Sequence, residues 1–545
     1  MGTRAQQRHS AINVIECPGN MRTIEYNGRP LYSKHNPARA ILQSVERMNI
    51  LPGTLILACS PALCYGIREL LQKLPEDCLV LAAECDAELY EFAWQELRRS
   101  GIDTSSSALA FSSNTHTNPD FYRPAGTFRR VVRIDLSAGT QISATAAQWY
   151  ARLHEQLQGN ISAFWKNRLT LIRMGRLFCR NMLRNLPVMA RQTHSFLEQC
   201  SVACPIIVCG AGESLSESIP AIKRTRSSFI LAVDAAATPL LQSGIRPDAI
   251  VTVESQLAIE KAFYAAAGTG IPVFADLSSR THAARITGGP ISFFSTEFTS
   301  AHFLKELREK NLFPCAMPPL GSVGLYALEL ALRLRERQDI PVFVTGLDFS
   351  YSIGRTHANG TVQHTERLIA SNRLTPIENY AAAFKPDARA AEGKDRRAVI
   401  TDTALCGYNA NFAAYFQKEA QVFDMGTSGL PLALPCAPQS ALAEADARFH
   451  GAKKFTTNAG VILRREDAAG EFIRQKKAIL RELIGLLSEG DGSDECATRV
   501  RQILEENEFL YVHFPDGHRM HLDRGFLNRI RHEAGYFLRH LSSMQ

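Results

Sequence analysis

A short run of small residues, Gly210-Ala-Gly-Glu-Ser214, has the composition of a phosphate-binding turn. Gly210 and Gly212 lack side chains, so a ligand could approach the backbone closely there. The apolar run before them is typical of a buried strand, and Ser214 and Glu217 have the spacing of a helix capping box. A helix that begins here would direct free N–H groups and its positive dipole end at the turn. The pattern therefore predicts a nucleotide phosphate at this turn.

Acidic residues end several of the apolar runs that follow the turn. Asp234, Glu254 and Asp348 each come at the end of a run that is typical of a buried strand. Parallel strands end at one rim of their sheet, and ligands bind at that rim. We therefore expect the three carboxylates to lie around one crevice. For each acid alone, capping of the following helix explains the position equally well.

Two further segments carry polar groups suited to the same chemistry. His357 lies in a polar loop that begins at Asp348, and its imidazole is a candidate base for an acceptor hydroxyl or a candidate acid for a leaving phosphate. A solvated loop histidine is the simpler alternative. Arg355, in the same loop, could offset phosphate charge. Gly321 and Ser322 precede a helix-like run, whose start would give a second anion contact.

Several widespread catalytic and metal-binding patterns are absent from the sequence. There is no Gly-x-x-x-x-Gly-Lys-Ser/Thr motif and no Gly-x-Ser-x-Gly motif. Residues 200–435 contain no Asp-x-Asp, so a metal-clamped sugar-nucleotide site of that type is not predicted. The 13 cysteines include no Cys-x-x-Cys and lie in apolar runs, which predicts buried reduced thiols and no metal site.

Length and charge limit the class of protein further. With 545 residues, 45% of them hydrophobic, the chain is too long for one core, and two or three domains are expected. A net charge of +7 is too small an excess to predict a nucleic-acid partner. The polar start of the chain predicts no signal peptide, and no apolar run of about 18 residues predicts a membrane span. We therefore expect a cytoplasmic protein.

The elements that must position these residues fall into four regions. We predict a smaller α/β domain over residues 1–150, a helical connector over 151–199, and a mainly helical domain over 440–545. In residues 200–435, apolar strands alternate with helices, which predicts an α/β domain with a Rossmann-like parallel sheet. Residues 511–521 predict a short hairpin around a Pro-Asp-Gly turn.

Several short motifs, in their order along the chain, resemble those of the motility-associated factor (Maf) proteins. The matching segments are residues 26–37 near the N-terminus and, in the central domain, residues 210–215, 244–248, 321–323, 346–348 and 356–360. Together they extend over roughly residues 20 to 435, and several motifs in the right order are more specific than any one of them.

The resemblance implies a sialyltransferase-like central domain and a role in flagellin glycosylation. A Maf protein would transfer a CMP-activated nonulosonic acid, of pseudaminic or legionaminic type, to Ser or Thr of flagellin without a metal ion or other cofactor. On this interpretation the donor-binding residues are Gly210, Gly212, Ser214, Asp234, Glu254, Gly321 and Ser322. Asp348 and His357 would lie near the reacting centre, with His357 as the base.

Two other functions fit the same motifs. The central domain also resembles the archaeal-type 6-hydroxymethylpterin diphosphokinases (MptE-like proteins), which transfer pyrophosphate to a pterin. That reaction would need Mg²⁺, which carboxylates could hold. A third possibility is an accessory protein that binds flagellin and has no catalytic activity.

Overall fold

The computed structural model describes residues 12–103, 108–113, 126–191, 200–297, 302–378, 385–452, 454, 456–457, 466–489, 493–520 and 522–543. The chain divides into two compact units, Met1–Leu171 and Ile172–Gln545. The boundary falls within a 47-residue helix, Ala144–Ala190, which is the fourth α-helix of the chain. The predicted domain limits at 150, 199 and 435 stay a prediction.

The first unit is an α/β structure with two sheets. Its four-stranded sheet is parallel, in the order β6-β5-β4-β7, and its three-stranded sheet is antiparallel, in the order β1-β2-β3. The strands are β1 Ile12–Cys17, β2 Met21–Tyr26, β3 Arg29–Pro30, β4 Thr54–Cys59, β5 Leu79–Glu84, β6 Leu109–Ser113 and β7 Arg130–Asp135. The helices are α1 Arg39–Arg47, α2 Ile67–Lys73, α3 Ala87–Arg99 and the start of α4 (Ala144–Ala190).

The second unit is built on one eight-stranded sheet in which every pair is parallel, in the order β14-β13-β12-β11-β10-β9-β15-β18. Its strands are β9 Ile206–Cys209, β10 Phe229–Val233, β11 Ala249–Thr252, β12 Val273–Asp276, β13 Ile291–Thr296, β14 Cys315–Met317, β15 Val342–Thr345 and β18 Val422–Asp424. Short strands outside this sheet are β8 Cys200–Ser201, β16 Arg389–Glu392, β17 Ala398–Thr401 and β19 Thr456–Thr457. The central strands are almost entirely apolar and buried because helices cover both faces.

The helices of the second unit follow α4 in chain order. They are α5 Ser214–Ile222, α6 Asp234–Gln242, α7 Glu260–Phe263, α8 Thr281–Arg285, α9 His302–Glu309, α10 Val323–Leu334, α11 Val362–Ala370, α12 Thr403–Phe416, α13 Gln439–Arg448, α14 Glu466–Glu489, α15 Asp494–Glu506 and α16 Arg524–Ser542. Short 3₁₀ helices occur in both units, at Ala138–Gln141, Leu257–Ile259, Tyr264–Ala266, Lys394–Arg396 and Glu508–Leu510. The predicted fold class is confirmed: a Rossmann-like parallel sheet with a smaller α/β structure before it and a mainly helical region after it.

Two asparagines of α4 hold the loops that follow β11 and β12. Asn181 Nδ2 donates to the carbonyl oxygens of Ser255 and Ser278, at 3.1 and 3.0 Å. Asn185 Nδ2 donates to those of Leu277 and Ser279, at 2.9 and 3.0 Å. Both asparagines are buried, so these bonds satisfy carbonyl groups that water cannot reach. Helix α4 therefore fixes part of the rim at which the strands end.

The predicted hairpin in the C-terminal region is wrong. Residues 508–518 form a 3₁₀ helix followed by turns, in which Phe514 donates to the Tyr511 carbonyl and Gly517 to the Phe514 carbonyl. Phe514 is buried against Phe526 of α16, at 5.5 Å between ring centroids. The aromatic residues thus pack as a turn against a helix, and His521 lies outside the described residues. Among the described helices, none is long and apolar enough to span a membrane.

Candidate functional site

A cavity of about 690 Å³ opens at the carboxyl ends of the central strands. Strand β9 lies between β10 and β15, so the chain leaves the sheet in opposite directions on either side of it. Such a switch point is where open parallel sheets bind ligands. The predicted site residues that line the cavity are Gly210, Gly212, Asp234, Glu254, Gly321, Ser322, Asp348 and His357. Ser214 is not in the lining and is completely buried.

The glycine turn faces the cavity, but its N–H groups are largely used inside the protein. Gly210 N–H donates to the Thr345 carbonyl and Gly212 N–H to the Gly346 carbonyl, each at 2.8 Å. A Cβ atom on Gly210 would lie 2.2 Å from the Gly346 carbonyl oxygen. The glycines are therefore required by the approach of the segment after β15, which is a different reason from the ligand approach that we predicted.

Asp348 occupies the place at the start of α5 where the phosphate was predicted. Its carboxylate accepts the Ser214 N–H at 2.8 Å and the Ser214 hydroxyl at 2.5 Å. The side chain is buried, which raises the pKa of Asp348 to about 6 despite these bonds and the charge of Lys394. This geometry gives Asp348 a positioning role, and it places a carboxylate, rather than a ligand anion, at the helix N-terminus.

Glu213 and Arg355 neutralise each other beside the turn. The Arg355 guanidinium lies 3.1 Å from the Glu213 carboxylate. Arg355 was expected to offset phosphate charge, and here it offsets the one acidic side chain of the turn itself. The turn therefore presents no net charge from this pair to the cavity.

Asp234 and Glu254 are the acids on the β10 and β11 side of the cavity. Asp234 accepts the Ala235 N–H at 2.7 Å and the Thr252 hydroxyl at 2.9 Å. Burial raises its pKa to about 6, and the nearby charge of Glu254 acts in the same direction. Glu254 accepts the N–H groups of Ser255 and Gln256 through Oε1, at 2.8 and 3.0 Å. Both carboxylates thus accept N–H groups of the residues that directly follow them, neither caps the following helix from its N-cap position, and both face the cavity.

His357 lines the cavity in an unprotonated state at neutral pH. Its Nδ1 lies 3.0 Å from the Thr356 hydroxyl. Burial lowers the pKa of His357 to about 4, and the charges of Arg367 and His364 add to that effect. A neutral imidazole has one ring nitrogen that can accept a proton. The position is compatible with the predicted base, and its role stays a prediction.

The N-terminus of α10 is the better anion contact in this cavity. Gly321, Ser322, Val323 and Gly324 all line it. Within the described part of the chain, no acceptor is found for the N–H groups of Val323 and Gly324, and the Ser322 hydroxyl does not cap the helix. Unlike the turn before α5, this helix start retains free donors and its positive dipole end.

Several cavity residues were missed by the sequence interpretation. Arg367 and Gln363 come from α11, and Lys385 comes from the segment before β16. Lys385 Nζ lies 3.2 Å from the Asp402 carboxylate. Tyr351 and Tyr408 complete this side of the wall. No motif marks these residues; only their position on the long segment after β15 could have drawn attention to them.

A second cavity of about 180 Å³ adjoins the first. The two share Glu254, Ile259 and Gln363 in their walls. Glu254 therefore lines both cavities. Among the described residues, no group of three or more His, Cys, Asp or Glu side chains is placed to hold a metal ion.

Replacement of Gly210 tests why this turn is rich in glycine. We expect Gly210→Ala to lower the free energy of unfolding by about 1–3 kcal/mol without any ligand, because the new Cβ would overlap the Gly346 carbonyl. Gly485→Ala is the matched control, since nothing lies within 4 Å of a Cβ there, in the interior of α14. It should keep or raise stability. Thermal unfolding of both variants measures this, and an unchanged Gly210→Ala would contradict the packing explanation.

The pH dependence of Asp234→Asn tests the burial of a charged carboxylate at the cavity. The pKa of Asp234 is raised to about 6 in the folded protein, so the folded state binds its proton more tightly than the unfolded state does. The free energy of unfolding therefore falls as the pH rises from about 4 to 6. Asp234→Asn should therefore raise the free energy of unfolding by about 1–3 kcal/mol at pH 7 and have little effect near pH 4.5.

Asp446→Asn is the control of opposite sign. Its carboxylate accepts three hydrogen bonds from residues 226–228, and these lower the pKa of Asp446. Loss of that charge should reduce stability at pH 7. Urea unfolding at several pH values compares the two variants, and the explanation for Asp234 is wrong if both lose stability at neutral pH.

Comparisons with known proteins agree with this architecture. Residues 180–354 match the family model of the 6-hydroxymethylpterin diphosphokinase MptE-like domain. The fold is similar to that in the structure of the MAf glycosyltransferase from Magnetospirillum magneticum AMB-1, with a TM-score of 0.56 and 13% sequence identity over 99% of this chain and 92% of that one. At this identity the likeness shows a shared fold.

A protein of Treponema pallidum (strain Nichols), described as an uncharacterized protein, is 31% identical over 546 residues, which cover 95% of this chain and 93% of the relative. The MptE-like match and the shared Maf fold agree with the resemblance predicted from the sequence motifs. The chain belongs to one family with this Treponema pallidum protein, and it carries an MptE-like domain.

Proposed function

We propose that the larger cavity binds a CMP-activated nonulosonic acid and that the protein transfers this sugar to Ser or Thr of flagellin. The observation that carries the proposal is the set of charged side chains in the cavity wall. Asp234 and Glu254 follow β10 and β11, whereas Arg367 and Lys385 lie on the segments after β15. Asp348 and Asp402 also line that second side, where Asp402 pairs with Lys385. A CMP-nonulosonate has hydrogen-bond donors on its base and ribose and two anionic groups, its phosphate and its sugar carboxylate.

Each part of this donor has a suitable partner. We assign the ribose and cytosine donors to Asp234 and Glu254. The phosphate is assigned to the free N–H groups at the start of α10, together with Gly321 and Ser322, because that helix start retains its positive dipole end. Arg367 and Lys385 would then hold the sugar carboxylate. Gly210, Gly212 and Ser214 support the wall through Asp348 instead of binding phosphate directly.

His357 is assigned as the base. With its Nδ1–H directed at the Thr356 hydroxyl, Nε2 keeps a lone pair for the acceptor proton. The acceptor oxygen forms a bond to the anomeric carbon as the bond from that carbon to the phosphate oxygen breaks. CMP leaves with the bonding electrons, and His357 takes the hydroxyl proton. No metal ion is required in this scheme, so a chelator should not affect the rate.

One comparison and one observation support the reaction class. The solved structure with the same fold is described as a MAf glycosyltransferase, and four of the Maf-like segments, 210–215, 321–323, 346–348 and 356–360, contribute residues to the cavity wall. Flagellin as acceptor rests on the family resemblance alone, and a cytoplasmic location rests on the sequence composition.

Mass spectrometry of flagellin tests the proposal. In a strain that lacks this protein, we expect the flagellin mass to fall by one nonulosonic acid residue at each modified site. The wild-type gene should restore the mass, whereas His357→Ala should not. Exposed His532→Ala is the matched control and should restore it fully. Flagellin of unchanged mass in the deletion strain would disprove the proposal.

A pterin diphosphokinase is the second candidate, because the MptE-like model covers residues 180–354, which include most of the cavity wall. Purified protein with ATP, Mg²⁺ and 6-hydroxymethyl-dihydropterin tests it directly. We expect no pyrophosphorylated pterin, and we expect CMP, but not ATP, to raise the melting temperature. Pterin turnover that stops with a chelator would instead establish the diphosphokinase.

A further inference from the structure

Helices α4 and α16 cross in the second unit, and three arginines of α4 meet there. Arg176, Arg180 and Arg184 are spaced at i, i+4 and i+8, which places them on one face of the helix. Two of them contact side chains of α16 directly. The Arg176 guanidinium lies over the Tyr536 ring, 3.7 Å from its centroid, and Arg184 Nη2 lies 3.1 Å from His540 Nδ1. We call this group, with Arg280, the arginine cleft.

Arg280 belongs to the cleft because it directly follows Ser279, whose carbonyl accepts the hydrogen bond from Asn185, the residue after Arg184. Burial lowers the pKa of Arg184, and the charges of Arg180 and Arg280 lower it further. The pKa of His540 is also lowered, by burial first and then by Arg184 and Arg180. His540 therefore accepts the hydrogen bond from Arg184 as a neutral ring and brings no charge of its own.

The acids near the cleft are too few to balance it. Arg176 pairs with Glu533 at 2.9 Å, and Arg280 pairs with Glu260 at 2.7 Å. Glu533 is shared with His513, and Glu260 with His282. In the described part of the chain, Arg180 and Arg184 have no acidic partner, and the buried Arg180 Nε has no hydrogen-bond acceptor. Four guanidiniums thus face two carboxylates.

We propose that the arginine cleft binds a phosphate group. A phosphate monoester carries a charge close to −2 at neutral pH, which matches the excess of two positive charges. A phosphate has enough oxygens to accept paired hydrogen bonds from two guanidiniums at once, whereas a single carboxylate has only two oxygens. Arg180 and Arg184 are half-buried and the Arg176 side chain is 44% exposed, so the donors are reachable from solvent.

The cleft is distinct from the cavity but adjoins its rim. None of its arginines lines the cavity. Asn181, on the same helix, holds the Ser255 carbonyl, and Ser255 directly follows Glu254. A phosphate compound bound here would therefore lie next to the loop that carries Glu254. The proposal does not depend on the reaction assigned to the cavity.

Calorimetry with inorganic pyrophosphate, at constant ionic strength set by chloride, tests the site. We expect wild-type protein to bind and Arg180→Gln/Arg184→Gln to bind at least tenfold more weakly. The matched control, Arg173→Gln/Arg531→Gln, removes two exposed arginines from the same two helices and should bind as the wild type does.

Melting temperature distinguishes a binding role from a structural one. Because Arg180 and Arg184 repel each other without an acid between them, Arg180→Gln/Arg184→Gln should melt at the same or a higher temperature without pyrophosphate. Equal pyrophosphate affinity in this variant and in the control, or a lower melting temperature of this variant alone, would overturn the proposal. Wild-type protein that shows no binding would overturn it as well.

Vesicles identify the source of the phosphate. Sedimentation with phosphatidic acid vesicles, whose headgroup is a phosphate monoester, compared with phosphatidylcholine vesicles, reports a lipid headgroup. If pyrophosphate binds and neither vesicle does, the ligand is a soluble phosphate compound. If the anionic vesicles bind and Arg180→Gln/Arg184→Gln abolishes that binding, it is a lipid. Either result supports a phosphate site in the cleft.

Discussion

The contact between the turns that follow β9 and β15 constrains the rest of the second unit. At this point the backbones of Gly210 and Gly346 approach so closely that neither residue can carry a side chain. The approach brings Asp348 to the N-terminus of α5, where it accepts two hydrogen bonds from Ser214. Because a buried carboxylate already satisfies that helix start, the cavity must obtain its affinity for anions elsewhere. The start of α10 and the basic residues after β15 are the groups that remain.

Several segments that are distant in sequence pack around the buried Asp348 carboxylate. Gly429 has a positive φ of 95°, and a Cβ there would lie 2.5 Å from the Asp348 Cα. Nearby, Lys394 pairs with Asp424 at 2.7 Å, and its charge offsets part of the rise that burial causes in the pKa of Asp348. Segments more than 80 residues apart in sequence thus meet around one buried charge. Because burial of the Asp348 charge costs free energy, the protein needs all of these segments in place to stabilise it.

Local sequence pattern predicted what depends on local physics. The apolar runs before Asp234 and Glu254 form buried strands, as predicted, and the acids at strand ends reach one rim because parallel topology carries every strand end to the same edge. The reason for Gly210 was not predictable, since the group that excludes a side chain is Gly346, far along the chain. Arg367 and Lys385 were missed for the same reason. The hairpin failed because a Pro-Asp-Gly turn does not determine whether the flanking residues pair as strands or pack on a helix.

Charges that lack compensation are concentrated where ligands are proposed. Elsewhere in the second unit, the buried Asp446 accepts three hydrogen bonds, and the half-buried Asp248 accepts the Ile230 N–H and pairs with Lys454. Asp234, by contrast, is buried with a raised pKa, and Arg180 and Arg184 have no acid beside them in the described structure. Asp234 accepts two hydrogen bonds but has no basic partner among the residues described, and a fold that leaves such charges without an opposite charge loses stability at those positions. The most economical physical reason is that a ligand supplies the missing partner there.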